Sequence, residues 1–408
     1  MAISTLNPQP VPDPLSASYV SPKPASIIRE EVEAAQINLR NRLAGAIRKP
    51  PPNVPVESLP TVPLIDIGAS FDGSLDSRKT IARQIHEACV TTGFFQISNH
   101  GVTEEAMAGV LKQAERFFHE LPQEKKHAMH IKYSPLFRGY EPHDYTYVNP
   151  DDKDPDGRSS AQQETKEGFN WGYEEAMDPS GGDGKYVELD GVAPATTGIG
   201  NVWPAEDDLP GFHATISLYY SQVLELARHL FRLFALSLDL EEDYFDPLMT
   251  HPGGIARLLY YAGQPALDKE KTDEEVEFEG KLGLGAHTDY ECFTLLLSST
   301  NPGLEILFPP SPLTNNLPIW RPCPVRPGTL TVNVADFLMR WTNGLYKSTI
   351  HRVVSKPGAG ERYSVPFFFS INYDSEVTAL PERCVGKSRF LPLKAGEYIL
   401  ERLKATQT

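Results

Sequence analysis

The chain has 408 residues and carries 54 acidic against 38 basic side chains, a formal net charge of −16. That length allows a substantial core in one large domain or two, and the charge disfavours nucleic acid as a partner because no basic stripe is present to collect phosphates. No apolar run reaches the roughly 18 residues needed to cross a bilayer, and the N-terminus lacks the basic start and apolar stretch of a secretory signal, so the expectation is a cytoplasmic monomer with no membrane attachment. Cys89, Cys292, Cys323 and Cys384 are far apart and form no C-x-x-C pair, which suggests neither a disulfide framework nor a thiolate zinc site.

Residues 1–26 are rich in Pro and Ser and bury too little apolar surface to offset chain ordering, so an extended arm is expected. The pattern from Ile27 to Ile47 predicts a helix, stopped by Pro50, Pro51 and Pro52. A strand is expected over Val62–Ile67. Ser77 then caps a helix through Thr92, and Gly93 ends it before the strand FFQIS. Thr103 is placed to cap the next helix, which continues through Phe117 and Phe118 towards Pro122. Between Pro142 and Pro204 the composition turns to Asp, Gly and Pro, which reads as a long surface excursion.

The longest helical period follows, from about Asp208 to Leu238, with Ile216, Tyr219, Tyr220, Val223, Leu226, Ala227, Leu230, Leu233 and Phe234 recurring on one face that should pack on a sheet. From Ile255 onward the chain is a series of short β-like runs separated by Pro, Gly and Asn turns. Helices first and strands later give an α+β fold, built on an antiparallel jelly roll, or double-stranded β-helix, with helices flanking one sheet. Three regions of one compact domain are expected: an arm and helix over 1–56, a region with the long loop over 57–205, and the jelly-roll core over 206–408.

The chemistry concentrates between Gly283 and Ser364. His287 and Asp289 are two residues apart, so on an extended segment both side chains reach one point. H-x-D alone is weak evidence of a metal site. Adding His351 gives two imidazoles and one carboxylate on one side of an ion, an arrangement with open positions that suits non-haem Fe(II), with catalytic zinc as the chemical competitor. Arg362 and Ser364 lie two residues apart on a strand, where a planar guanidinium and a hydroxyl can together receive one carboxylate. The apolar run around them makes an unpartnered arginine costly.

These residues carry a resemblance to the 2-oxoglutarate and Fe(II)-dependent dioxygenases of the isopenicillin N synthase-like family. It spans roughly Val62 to Ile371 and includes VPLIDI, GFFQISNHGV, RLLYYAG and NVADFLMRWTNGLYKSTIHRV. The resemblance implies that His287, Asp289 and His351 bind Fe(II), and that Arg362 and Ser364, supported by Tyr261, hold the distal carboxylate of 2-oxoglutarate. Leu259 and Ala262 stand where the family often has Asn and Pro around that tyrosine. With O2, such an enzyme hydroxylates, desaturates or cyclises a small molecule and releases succinate and CO2.

The substrate is expected to be a small apolar or aromatic metabolite. The residues expected around it are Arg138, Tyr140, Phe169, Trp171, Tyr290, Phe293, Phe337 and Phe368, with residues 138–173 supplying part of the pocket. Two alternatives stand beside this reading: an Fe(II) oxidase or cyclase that does not use 2-oxoglutarate, and a non-catalytic small-molecule binding protein on the same fold.

Overall fold

The protein is described here as a computed structural model covering residues 24–143, 145, 165–266 and 281–405. Most of the N-terminal arm, and the acidic insert that follows Ala266, lie outside these residues. The strands are β1 (Leu64–Asp66), β2 (Phe94–Ser98), β3 (Gly139–Glu141), β4 (Lys166–Gly172), β5 (Gly254–Tyr261), β6 (Lys281–His287), β7 (Phe293–Ser298), β8 (Leu304–Phe308), β9 (Ile319–Pro322), β10 (Leu330–Val334), β11 (His351–Ser355) and β12 (Arg362–Phe369). They form an eight-stranded sheet in the order β1-β2-β10-β7-β12-β5-β4-β3 and a four-stranded sheet in the order β6-β11-β8-β9. All pairings within these two sheets are antiparallel except β1 with β2.

Period-two alternation decides what each face of the large sheet does. On β7 and β12, Phe293, Leu295, Leu297, Val365, Phe367 and Phe369 are buried in the main apolar core. Their alternates Thr294, Ser298, Arg362, Ser364 and Phe368 point instead towards the smaller sheet. The inner faces of the two sheets meet where Leu259 and Tyr261 of β5 pack on Val353 of β11, and where Phe94 of β2 packs with Ile306 and Phe308 of β8.

Six helices matter for the site: α1 (Pro24–Leu43), α2 (Leu75–Thr91), α3 (Glu104–His119), α4 (Phe212–Ser237), α5 (Asp336–Trp341) and α6 (Ala395–Lys404). Every apolar residue expected on the face of α4 is buried. Phe231 and Phe234 of that helix lie 5.3 Å, centroid to centroid, from Phe293 of the sheet. Ridges of this kind need the sheet's outward alternates to be large and apolar, and they are.

Local boundaries differ from the sequence expectations for physical reasons. Thr103 caps α3 as expected, accepting from the Ala106 N–H at 3.2 Å. The cap of α2 is Ser74, not Ser77: Ser74 is extended and accepts from the Ser77 N–H at 3.2 Å. α1 stops at Leu43 well before the prolines, because Gly45 takes a left-handed φ of +77° and Ile47 then bridges to Ile319 of β9. The described part of the expected surface excursion is exposed over much of its length but is anchored inside at a few segments. Its KEGFNWG run is β4, paired with β5 across seven residues, and Tyr173, Met177, Tyr186 and Leu189 beyond it are buried.

Candidate active site

His287 ends β6 and His351 begins β11, and the two are direct partners across the ladder. Asp289 follows in the turn before β7. One ligand atom from each of the three lies within 4.8 Å of the others, with His287 Nε2 3.5 Å and His351 Nε2 3.6 Å from Asp289 Oδ1. Both rings are oriented from behind: His287 Nδ1 lies 2.7 Å from the Gly285 carbonyl and His351 Nδ1 3.1 Å from the Thr349 carbonyl. A carbonyl only accepts, so each Nδ1 carries the proton and each Nε2 offers a lone pair to the shared point.

Asp289 is fixed in the same manner. Its Oδ2 accepts from Thr294 Oγ1 at 2.5 Å and from Asn333 Nδ2 at 2.7 Å, leaving Oδ1 to face the imidazoles. Burial opposes its charge, yet His351, His287 and the Thr294 hydroxyl hold the carboxyl well below the usual range. Burial, with His287 beside it, depresses His351 to about 4. One carboxylate and two imidazoles whose Nε2 atoms turn towards it are a donor set of the kind a divalent cation takes. The donor set therefore fits a metal with open coordination positions.

Asp336, at the start of α5, ties this turn to its surroundings. Its N–H donates to the Asp289 carbonyl at 3.0 Å, and its carboxylate accepts from Ser348 Oγ at 2.7 Å and Arg402 Nη1 at 2.6 Å.

Deeper between the sheets, Arg362 is buried at the paired position opposite Tyr261, and Ser364 pairs with Ser298. The Arg362 guanidinium donates to Ser364 Oγ at 3.2 Å and Ser298 Oγ at 3.0 Å, and lies 5.1 Å from the Tyr261 ring centre. Burial lowers its pKa, and the groups that offset this are the Tyr261 phenol and the Cys323 thiol, not a carboxylate. A buried cation surrounded by neutral donors and acceptors is a receptor for an anion. Leu259 and Leu284, which line the metal cavity, belong with Tyr261 and Val353 to one apolar cluster, so an apolar sleeve joins the metal-ligand trio to the arginine.

The cavity beside His287 and Asp289 has a volume of about 80 Å³. Of the residues expected around a substrate, it brings in Tyr290 and Phe368. Tyr140, Phe169 and Trp171 do not line it: they occupy the outward alternates of β3 and β4, with Phe169 4.7 Å from Phe117 of α3 and Trp171 6.1 Å from Trp203 in the segment before α4. Phe293 packs on α4, Phe337 packs 5.1 Å from Tyr398 of α6, and Arg138 is fully buried on Glu188 at 3.0 Å. Phe169→Ala should therefore cost about 3–5 kcal/mol of stability in urea unfolding and leave ligand affinity of the folded protein unchanged; a selective loss of affinity at normal stability would return Phe169 to the site.

The inward alternates supply what the sequence reading missed. Lys166 and Arg257 line the cavity, joined through Glu141: Lys166 pairs with one carboxylate oxygen and Arg257 Nη1 lies 3.5 Å from the other. Glu291 lines it too, and burial pushes its carboxyl up to about 8. The signal was available in K-E-G-F-N-W-G, whose alternation puts Lys166 and Asn170 on the face opposite Phe169 and Trp171.

Residues 62–194 match a family described as the N-terminal part of non-haem dioxygenases in morphine synthesis, and residues 254–371 match the 2OG-Fe(II) oxygenase superfamily. The chain belongs to this oxygenase superfamily. It is 36% identical to the 2-oxoglutarate-Fe(II) type oxidoreductase hxnY of Emericella nidulans over 79% of this chain and 83% of that one. Against the clavatol oxidase claD of Penicillium crustosum the identity is 32%, covering 86% and 99%. A full-length Neurospora crassa protein solved with alpha-KG and thymine superposes with a TM-score of 0.66 at 27% identity, covering 85% of this chain and 97% of that one. The fold is accordingly the double-stranded β-helix expected from the sequence. This oxygenase uses Fe(II), 2-oxoglutarate and O2 to oxidise a small molecule. Among the described residues no helix is long and apolar enough to cross a membrane.

Proposed function

We propose that His287, Asp289 and His351 hold the Fe(II) of this dioxygenase, and that Arg362 and Ser364, backed by Tyr261, receive the distal carboxylate of 2-oxoglutarate. The observation that carries the reading is the convergence of both Nε2 atoms on Asp289 Oδ1, each donor oriented by a separate hydrogen bond. When bound, iron and 2-oxoglutarate supply O2-driven oxidation of a substrate carbon, with release of succinate and CO2 and with hydroxylation, desaturation or ring closure as the outcome.

The protein's part is positioning and exclusion of water. The Gly285 and Thr349 carbonyls fix the tautomers of the two histidines. Arg362 and Ser364 fix the far end of the dicarboxylate, while Leu259 and Leu284 keep the intervening space dry, which strengthens the charge pairing at both ends. Phe368 and Tyr290 give the substrate apolar surface, and Arg257 offers it a polar anchor: its buried Nε has no hydrogen-bond partner. The Neurospora crassa neighbour, solved with alpha-KG and thymine, supports a small planar ring as occupant. A monomer in the cytoplasm is proposed as its setting; the free thiols of all four cysteines are in keeping with a reducing compartment.

Anaerobic titration of the metal-free protein with Fe(II) and then 2-oxoglutarate tests the reading. One equivalent of each should bind, and 2-oxoglutarate should bind more tightly once iron is present. Tight 2-oxoglutarate binding that is indifferent to iron, or succinate never formed in air, would reject it.

A further inference from the structure

A cavity of about 810 Å³, far larger than the one beside His287 and Asp289, lies against the outer side of the smaller sheet. Helix α1 is seated there by Leu43, which packs with Ala286, Leu307, Trp320 and Ile350. Ala286 and Ile350 are the chain neighbours of His287 and His351 and so face away from the trio. Residues of α1 from Glu31 to Arg42 form one wall of the cavity, about 16 Å of helix at 1.5 Å per residue. Leu307 and Phe308 of β8 and Met339 of α5 form another. Thr288 lines both cavities, and Thr349, whose carbonyl orients His351, lines the larger. An occupant would therefore rest on the back of the metal-ligand turn without entering it.

The charges of this lining do not cancel. It carries four cations, Arg42, Arg340, Lys347 and Arg389, and two carboxylates, Glu31 and Asp336. Glu31 is paired with Arg340 at 2.6 Å, and Asp336 with Arg402, which stands outside the lining, at 2.6 Å. Arg42, Lys347 and Arg389 are left with no carboxylate at ion-pair distance among the described residues, in a chain of net charge −16. Two of these converge: Lys347 Nζ donates to the Gly344 carbonyl at 3.1 Å, and Arg389 Nη1 lies 3.3 Å from where a Cβ on Gly344 would stand. Arg42 is half-buried and makes no hydrogen bond to a described residue. Burial lowers its pKa, and Asp336 is the charge that offsets this. A cation drawn out of water is costly until an anion meets it. Ala35, Leu39 and Arg42 follow one another at helical spacing on one face of α1, so the cation continues an apolar stripe. An apolar lining with a few placed polar groups, in a volume of about 300–1,000 Å³, is what a small organic ligand takes.

We propose that this cavity is a second binding site, for an elongated amphiphilic anion whose acidic head meets Arg42 and whose apolar body lies along Leu39 and Ala35 against Leu307 and Met339. Lys347 and Arg389 add to the positive potential that draws the head in. The site is separate from the iron and 2-oxoglutarate positions and does not depend on their assignment.

Isothermal titration of the full chain under anaerobic conditions, with and without Fe(II) and saturating 2-oxoglutarate, tests it with decanoate, decan-1-ol and acetate as probes. Decanoate should bind one to one, about tenfold or more tightly than either control, since the alcohol lacks the charge and acetate the chain. Saturating 2-oxoglutarate should leave that affinity unchanged. Arg42→Met should weaken decanoate by about tenfold or more, the loss expected for one partner of a desolvated charge pair, and Arg42→Lys should restore most of it. Ala35→Trp, which fills the cavity from α1, should abolish decanoate binding while Fe(II) and 2-oxoglutarate bind as in the wild type. Failure of decanoate to bind, equal binding of decan-1-ol, displacement by 2-oxoglutarate, or wild-type affinity in both Arg42→Met and Ala35→Trp would each overturn the proposal. Failure of the iron and 2-oxoglutarate titrations on the same samples would reject the cofactor assignment and leave this site standing.

Discussion

Asp289→Ala is expected to abolish stoichiometric Fe(II) binding and, with it, all succinate formation. Loss of a residue that only orients a ligand costs about 10–100-fold in metal affinity, and Asp289 is the one anionic donor of the three, so the loss should exceed that range. The substitution also strands the Thr294 hydroxyl and the Asn333 amide, which both donate to Asp289 Oδ2. Each stranded donor costs about 1–3 kcal/mol, so the metal-free variant should unfold at lower urea than the wild type. Anaerobic iron titration and urea denaturation on the same preparation check both parts. Iron binding within tenfold of wild type would remove Asp289 from the ligand set.

Arg362→Met is expected to split two properties that usually move together. With its guanidinium gone, 2-oxoglutarate should bind more weakly by about 2–5 kcal/mol, the cost of truncating one partner of a buried charge pair, while iron affinity stays as in the wild type. Stability without 2-oxoglutarate should rise, because a buried cation with only hydroxyls, a phenol and a thiol around it is replaced by an apolar chain of similar length. Thermal unfolding with and without saturating 2-oxoglutarate separates the two: the wild type gains stability from the ligand and the variant does not. A variant that is less stable on its own and still stabilised by 2-oxoglutarate would show Arg362 to be a structural residue.

The convergence of His287, Asp289 and His351, and the shared face of Arg362 and Ser364, were legible because short spacing within each pair is itself geometry, with His351 brought in by the pairing of β11 with β6. Arg362 and Ser364 are two apart on one strand, where period two alone puts them on one side; His287 ends β6 and Asp289 falls just beyond it, close enough that both side chains still reach one point. The face of α4 was legible for the same reason at period 3.6. What was lost depends on contacts between segments far apart in sequence. Phe169 and Trp171 looked like pocket residues by type, yet the pairing of β4 with β5 turns them to the helices and turns Lys166 inward. Nothing local in A-G-E-Y-I-L-E-R-L-K says that Leu403 faces the cavity, because that follows from Arg402 reaching Asp336, sixty-six positions away. Ser74 and Ser77 are both competent caps, and only the extended backbone at Ser74 decides between them.

The order of strands in the large sheet has an evolutionary consequence. Arg362 sits on β12, hydrogen-bonded on both sides by β5 and β7, and His351 sits on β11 between β6 and β8. A slip of either strand would turn its functional side chains to the wrong face and break two ladders at once. The cavity beside the trio is lined partly from inside the sheet, by Arg257 of β5 and Phe368 of β12, and partly from its margins, by Lys166 of β4 and by Ile399 and Leu403 of α6. Substitutions at Lys166, Ile399 or Leu403 can therefore reshape the cavity without breaking either ladder that holds Arg362 or His351, so the fold separates what can drift from what cannot.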